Sequence, residues 1–240
     1  MLRPLFALIG LALTFGIAQA DILIIGDSHT AGPFGERLHK NLTKALPHQM
    51  IMTYGHSSSA PTHWMSTTPV KLTGGLNHHF SFNGQYYPHP HLPDWRLKAN
   101  VLKLPKLLDD PIIHPEWKNY VSHPPKLDTV VVALGANDRS ALPGELKKRV
   151  SIVHKMLDEI ESRGLKCLWI RPPSSVTYTK EKEDLTDQYL TEAIDGRCPL
   201  FNSRRFVSKY CDKIHFSCPK GLATAKEWAD EVADFVEKNL

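Results

Sequence analysis

Two runs of consecutive apolar, β-favouring residues stand out along the chain. Residues 22–25 are Ile, Leu, Ile, Ile, and residues 129–134 are Thr, Val, Val, Val, Ala, Leu. Neither run alternates with polar positions, so each reads as a strand buried on both faces, as in a parallel sheet. Residues 49–54, closed by Gly55, and residues 165–170, stopped by Pro172 and Pro173, read as two more strands; residues 205–208 form a last short one. Helical spacing fills the intervals. Phe34, Leu38, Leu42 and Leu46 make one apolar stripe, and Leu146, Val150, Val153, Leu157 and Ile160 repeat at spacings of 4, 3, 4 and 3 before Gly164. A further helix is expected around residues 185–194, and Pro219 opens a last one with Ala225, Ala229, Val232 and Val236 on its inner face.

Strand–helix alternation of this kind predicts a three-layer α/β/α sandwich with a mostly parallel, flavodoxin-like sheet of order 2-1-3-4-5. The rhythm stops between about residues 60 and 125, a stretch long for a connection within one domain. It reads as an elaboration over the active edge of a single domain spanning residues 21–240. Within it, residues 80–87 look like a hairpin turning at Asn83-Gly84, and residues 102–108 like a short helix. His78, His79, His89 and His91 read as solvent-facing histidines on a cleft rim. No metal site is expected: Pro90 splits the His89/His91 pair, and Asp94 is the one carboxylate at ligand spacing. Trp64, Tyr86, Tyr87 and Trp95 could stack on a sugar, line an apolar pocket or form the small core that holds the segment together.

The first residues lie outside this pattern. One positive side chain at Arg3, an apolar run from 5 to 17 and Ala18-Gln19-Ala20 have the grammar of a secretory signal peptide over residues 1–20, cleaved before Asp21. The protein is therefore expected to be exported, periplasmic or secreted, with no stable membrane anchor after cleavage. Export places Cys167, Cys198, Cys211 and Cys218 in an oxidising compartment. Of the possible pairings Cys198–Cys211 is preferred, because the two flank the short segment 204–207 and would tie down the approach to Asp212; Cys218 competes for either. The net charge of +4 falls to +3 without Arg3, and the basic residues form no long stripe, so nucleic-acid binding is not expected.

Three strand ends carry polar groups: Ser28 after the first strand, Asn137 and Asp138 after the third, and Asp212 and His215 near the chain's end. Parallel strands deliver their carboxyl ends to one side of a sheet, so these groups can converge. Acyl transfer to a hydroxyl needs a base of near-neutral pKa and a group that holds the base in the useful tautomer. Asp212 can hold His215 while the other ring nitrogen reaches Ser28. Asn137's amide and the backbone N–H groups of Ser28 and Gly55 could meet the developing oxyanion. The order Ser, Asp, His is that of α/β-hydrolases, but the Gly-x-Ser-x-Gly elbow is absent and the Asp–His spacing is far too short for that class. The hydroxyls of Ser57, Ser58 and Ser59 follow no comparable buried strand and sharp turn.

On these residues the chain resembles the SGNH hydrolases, also called GDSL-type esterases. Gly26-Asp27-Ser28 is similar to the block that carries the nucleophile, and Gly55 stands where the second block has its oxyanion glycine. Gly135-Ala136-Asn137-Asp138 matches the Gly-x-Asn-Asp block, and Asp212-Lys213-Ile214-His215 the Asp-x-x-His block. The departure is His29, where many members have leucine; it is left as a rim donor and an inferior base. The resemblance implies a serine esterase without metal or organic cofactor. Its catalytic residues are Ser28, Asp212 and His215, its oxyanion hole Ser28, Gly55 and Asn137, with Asp27 and Asp138 supporting. An exported enzyme of this type suggests short-chain O-acyl esters, such as O-acetylated carbohydrate, as substrate. A lipase, a thioesterase or a sugar O-acetyltransferase would use the same site, and a non-catalytic glycan-binding protein could keep the same fold.

Overall fold

The computed structural model describes residues 20–67, 76–88, 103–141, 143–210 and 212–240. The expected signal segment therefore lies outside the described residues, apart from Ala20, as do His89, His91, Asp94, Trp95 and Cys211. Strand β1 (Asp21–Gly26) is followed by helix α1 (Pro33–Ala45), β2 (Ile51–His56), the short α2 (Pro61–Met65) and the strands β3 (Leu76–Phe82) and β4 (Gln85–Pro88). Then come α3 (Leu104–Asp109), β5 (Leu127–Ala133), α4 (Pro143–Glu161), β6 (Lys166–Ile170), β7 (Ser174–Ser175), α5 (Lys180–Ile194), β8 (Leu200–Phe201), β9 (Val207–Ser208) and α6 (Pro219–Asn239).

The main sheet has seven strands in the order β4-β3-β2-β1-β5-β6-β8. Strands β2, β1, β5, β6 and β8 run parallel, while β3 pairs antiparallel with β2 and β4 with β3. The sheet is thus mixed and not flavodoxin-like as a whole, because part of the inserted segment extends it at one edge. The hairpin turns at Asn83 and Gly84, whose φ angles of 50° and 70° are those of the favoured two-residue turn. At the other edge the last parallel strand is residues 200–201, not the expected 205–208. Val207 and Ser208 instead pair with Ser174 and Ser175 in a separate two-stranded sheet.

Alternation along the buried strands feeds two cores. Leu23, Ile25, Met52, Val130, Val132 and Trp169 face one side, where Met156, Leu157 and Ile160 of α4 and Leu190 of α5 cover them. Ile22, Ile24, Ile51, Val131, Leu168 and Ile170 face the other, beneath Phe34, Leu38 and Leu42 of α1 and Trp228, Ala229 and Val232 of α6. Phe34 and Trp228 stack with centroids 3.5 Å apart, locking α1 to α6. Both faces of the parallel strands are therefore covered by helices, which makes the three layers.

Two further expectations are overturned. Cys198 is bonded to Cys167, so it is not joined to Cys211, and Cys218 is itself disulfide-bonded. The preferred pairing rested on proximity along the chain; the observed one links β6 to the residues just before β8, its sheet neighbour. His78 and His79 are not solvent-facing but buried on β3. His78 lies between His56 and His114, with nitrogen separations of 3.0 and 2.9 Å, and His79 Nδ1 is 2.7 Å from the Tyr86 hydroxyl. Once β3 joins the sheet beside β2, its side chains are enclosed, and histidines can be buried because they satisfy one another. Among the described residues, no group of three or more His, Cys, Asp or Glu side chains could hold a metal ion.

Candidate active site

The turn after β1 sets the site. Asp27 Oδ1 accepts the His29 N–H at 3.0 Å, and the Ala31 N–H closes back on Asp27 O at 2.9 Å. These bonds fold residues 27–31 into a tight connection before Gly32 caps α1 and Pro33 starts it. Ser28 is left partly exposed at the carboxyl edge of the sheet. Asp27 is buried, and burial pushes its carboxyl up to about 6 against the hydrogen bond from His29, the Arg139 charge and the bond from Ala136.

From the chain's other end, the segment between β9 and α6 returns to the same edge. His215 Nε2 is 2.9 Å from Ser28 Oγ, and His215 Nδ1 is 2.5 Å from Asp212 Oδ2. The other oxygen, Asp212 Oδ1, accepts the N–H groups of Ile214 and His215 at 2.9 and 2.8 Å. Burial works to raise the Asp212 pKa, but the His215 ring and those two N–H groups outweigh it and hold it at about 2. Asp-x-x-His thus closes a compact loop in which one carboxylate orients both the backbone and the ring of His215.

His29 is not a rim residue. It is 5% exposed and packs between His215, Phe216 and Trp228, with centroid separations of 5.6, 5.9 and 5.6 Å. Burial, then the neighbouring His215, lowers its pKa to about 3, so it is neutral beneath the His215 loop. Phe216, Ser217, Ser57 and residues 31–34 join Ser28, His29 and His215 around a cavity of about 210 Å³.

Asn137 comes from the other neighbour of β1. Gly135, at φ 127°, turns the chain after β5 into a single 3₁₀ turn over Ala136–Asp138. The Asn137 amide donates to Ser59 O at 2.7 Å. Asp138 is buried below, paired with Arg149 of α4 and accepting the Tyr189 hydroxyl of α5 at 2.5 Å. It anchors the turn to two helices.

Neither Gly55 nor Asn137 lines the cavity beside Ser28. Gly55 lies within β2, in register with Gly26 on one side and Asn77 on the other. A Cβ there would stand 2.2 Å from Ala31 N and 2.5 Å from Thr30 C, so glycine lets the Ser28 turn ride over β2. The chain after β2 reaches the cavity two residues later, at Ser57. Ser59 N–H closes this turn on His56 O at 3.1 Å, and Ser58 takes a φ of 65°. A serine at positive φ has no signature in sequence, so residue order shows a polar turn at 57–59 but not its backbone shape. Trp64 is also buried, stacked on His56 with centroids 4.8 Å apart, and it forms part of this support and not an exposed sugar platform.

The sheet, the covered faces and polar groups at the carboxyl ends of adjacent strands define an α/β/α fold of the kind found in ester-hydrolysing enzymes. No family model matches the chain. No curated protein matches it either. Among solved structures, an active-site mutant of a family two carbohydrate esterase from Clostridium thermocellum superposes with a TM-score of 0.51 at 15% identity, over 91% of this chain and 63% of the other. A structure of a family two carbohydrate esterase from the same organism with cellohexaose gives 0.50 at 16%, over 92% and 64%. The chain therefore spans under two thirds of both. A carbohydrate esterase family 3 from Talaromyces cellulolyticus gives 0.49 at 10%, over 92% and 100%. At these identities the likeness to the two family two carbohydrate esterase structures is one of fold alone.

Proposed function

We propose that the chain is an exported serine esterase of the SGNH type, hydrolysing short-chain O-acyl esters, O-acetylated carbohydrate among them. The observation that carries this reading is the unbroken series Ser28 Oγ, His215 ring, Asp212 carboxylate, at 2.9 and 2.5 Å. In it, Asp212 holds the proton-bearing Nδ1 and leaves Nε2 free to accept the Ser28 proton. The freed oxygen attacks the acyl carbon, and His215 returns the proton to the leaving alcohol. Water activated by the same nitrogen then releases the acid and restores Ser28. Charge developing on the carbonyl oxygen is met by the Asn137 amide and the Ser28 N–H. We assign the third donor to the backbone of the Ser57–Ser58 turn in place of Gly55, because Ser57 borders the cavity and Gly55 sits inside the ladder.

A cavity of about 210 Å³ supports a small substituent, since pockets for drug-sized ligands run from about 300 to 1,000 Å³. That favours an acetylesterase over a lipase with a broad apolar groove. The deciding experiment is hydrolysis by purified protein of aryl esters of increasing acyl length, beside acetylated polysaccharides. Turnover highest with acetyl and falling with chain length supports the reading. Sugar binding without turnover, and without covalent labelling of Ser28 by an organophosphate, would replace it with a glycan-binding protein.

A further inference from the structure

Of the three serines after β2, Ser59 has no part in the reaction as drawn, yet it is the most constrained. It is fully buried. Its hydroxyl donates to Gly26 O at 3.1 Å and accepts the Trp64 indole N–H at 3.2 Å, while its carbonyl accepts the Asn137 amide at 2.7 Å. Gly26 ends the strand that launches Ser28, and Asn137 begins from the strand on the opposite side of β1 from β2. One residue thus touches the strand end before the nucleophile and the amide assigned to the oxyanion.

We propose that Ser59 is a positioning residue for Asn137, an inference that rests on the esterase reading above. A side-chain amide carries two N–H groups. Ser59 O engages one of them and thereby fixes the plane of the amide, so that the second is aimed by geometry and not by chance rotation. The carbonyl can do this only if it is itself held. The Ser59 hydroxyl, with its proton spent on Gly26 O and a lone pair on Trp64, does the holding. Trp64 is in turn braced against His56, whose Nε2 meets His78 of β3. The oxyanion amide in the turn after β5 is therefore supported across β1, β2 and the antiparallel edge.

The test is a cycle on the full chain with an aryl acetate: Ser59→Ala, Asn137→Ala and the double variant. Ser59→Ala should lower kcat about tenfold, the scale of one lost neutral hydrogen bond, with the loss in kcat and not in KM. The double variant should be no slower than Asn137→Ala, because Ser59 acts through Asn137. Trp64→Phe withdraws only the indole N–H and should give a smaller loss in kcat; it keeps the question open to measurement if Ser59→Ala folds poorly. Additive losses in the double variant, a change confined to KM, or an unchanged kcat in Trp64→Phe would overturn the inference. Those results with an inactive Ser28→Ala variant leave the esterase reading standing. Full turnover by Ser28→Ala would remove both.

Discussion

Ser28 Oγ and His215 Nε2 are 187 positions apart in sequence and 2.9 Å apart in space. One stands at the carboxyl end of β1, the other in the loop before the last helix, and their meeting depends on the sheet between them. If this contact is a nucleophile–base pair, Ser28→Ala should fold normally, since the side chain is partly exposed and packs no core. Its ester turnover should fall by about 10³-fold or more. Near-wild-type turnover in purified Ser28→Ala would remove the assignment.

Asp212 allows a sharper test of the same series. Asp212→Asn keeps an oxygen to accept the N–H groups of Ile214 and His215, so the loop should retain its shape. An amide donating to Nδ1, however, favours the tautomer with its proton on Nε2, which cannot accept the Ser28 proton. We expect kcat to drop by about 10³–10⁴ with thermal stability little changed. A variant that is slow only because it is unfolded would show in circular dichroism and would argue that Asp212 serves the loop alone.

Ser28 and Asn137 are legible in the sequence because each follows an apolar run that ends at the same sheet edge, whereas Asp212 and His215 follow no such run and are legible from their two-residue spacing. The structure brings Ser28, Asp212 and His215 into one series and Asn137 to Ser59. Gly55 lies within β2, and the turn that follows it uses Ser58 at positive φ, where sequence preference points to glycine. His78 and His79 read as exposed in the sequence because nothing in residues 76–88 announces that they join the main sheet. Pairing of β3 with β2 is a long-range event, and it alone decides that His78 is enclosed. The fifth parallel strand failed for a related reason. Leu200 and Phe201 are too few to make a pattern, and only the edge of β6 defines them as a strand.

Buried neutral histidines should make the protein acid-labile. Burial lowers His29 and His56 to about 3 and His39 well below its ordinary value, while it raises Asp27 to about 6. A histidine depressed in the folded state contributes stability that is complete above its unfolded pKa of about 6.5 and is lost as pH falls towards the folded value. Asp27 acts in the opposite sense: the folded state holds its proton more tightly, so its contribution is lost as pH rises from about 4 through 6. Near pH 5 the unfolded chain takes up protons on these histidines, while the folded chain keeps one on Asp27. The histidines outnumber the aspartate, so stability falls on acidification, by about 1.4 kcal/mol per pH unit for each net proton taken up. Denaturant titrations between pH 4.5 and 5.5 measure this slope. Asp27→Asn should steepen it by about 1.4 kcal/mol per unit, and a flat profile would count against all four assignments.

The disulfide between Cys167 and Cys198 closes a loop with a sequence separation of 31. It joins the amino-terminal part of β6 to the segment entering β8, within the core under α4 and α5. The proposed catalytic groups gather at the carboxyl ends of the strands. A cross-link of this length restricts the unfolded chain by about 4 kcal/mol, so replacing both cysteines with alanine should lower unfolding stability by that order. Any ester turnover per folded molecule at 25 °C should be retained, because neither cysteine borders the cavity beside Ser28. Non-reducing peptide mapping of the purified protein should recover the peptide containing Cys167 linked to that containing Cys198. Recovery of Cys198 joined to another cysteine, or equal stability of the double alanine variant, would contradict the link between β6 and its neighbour.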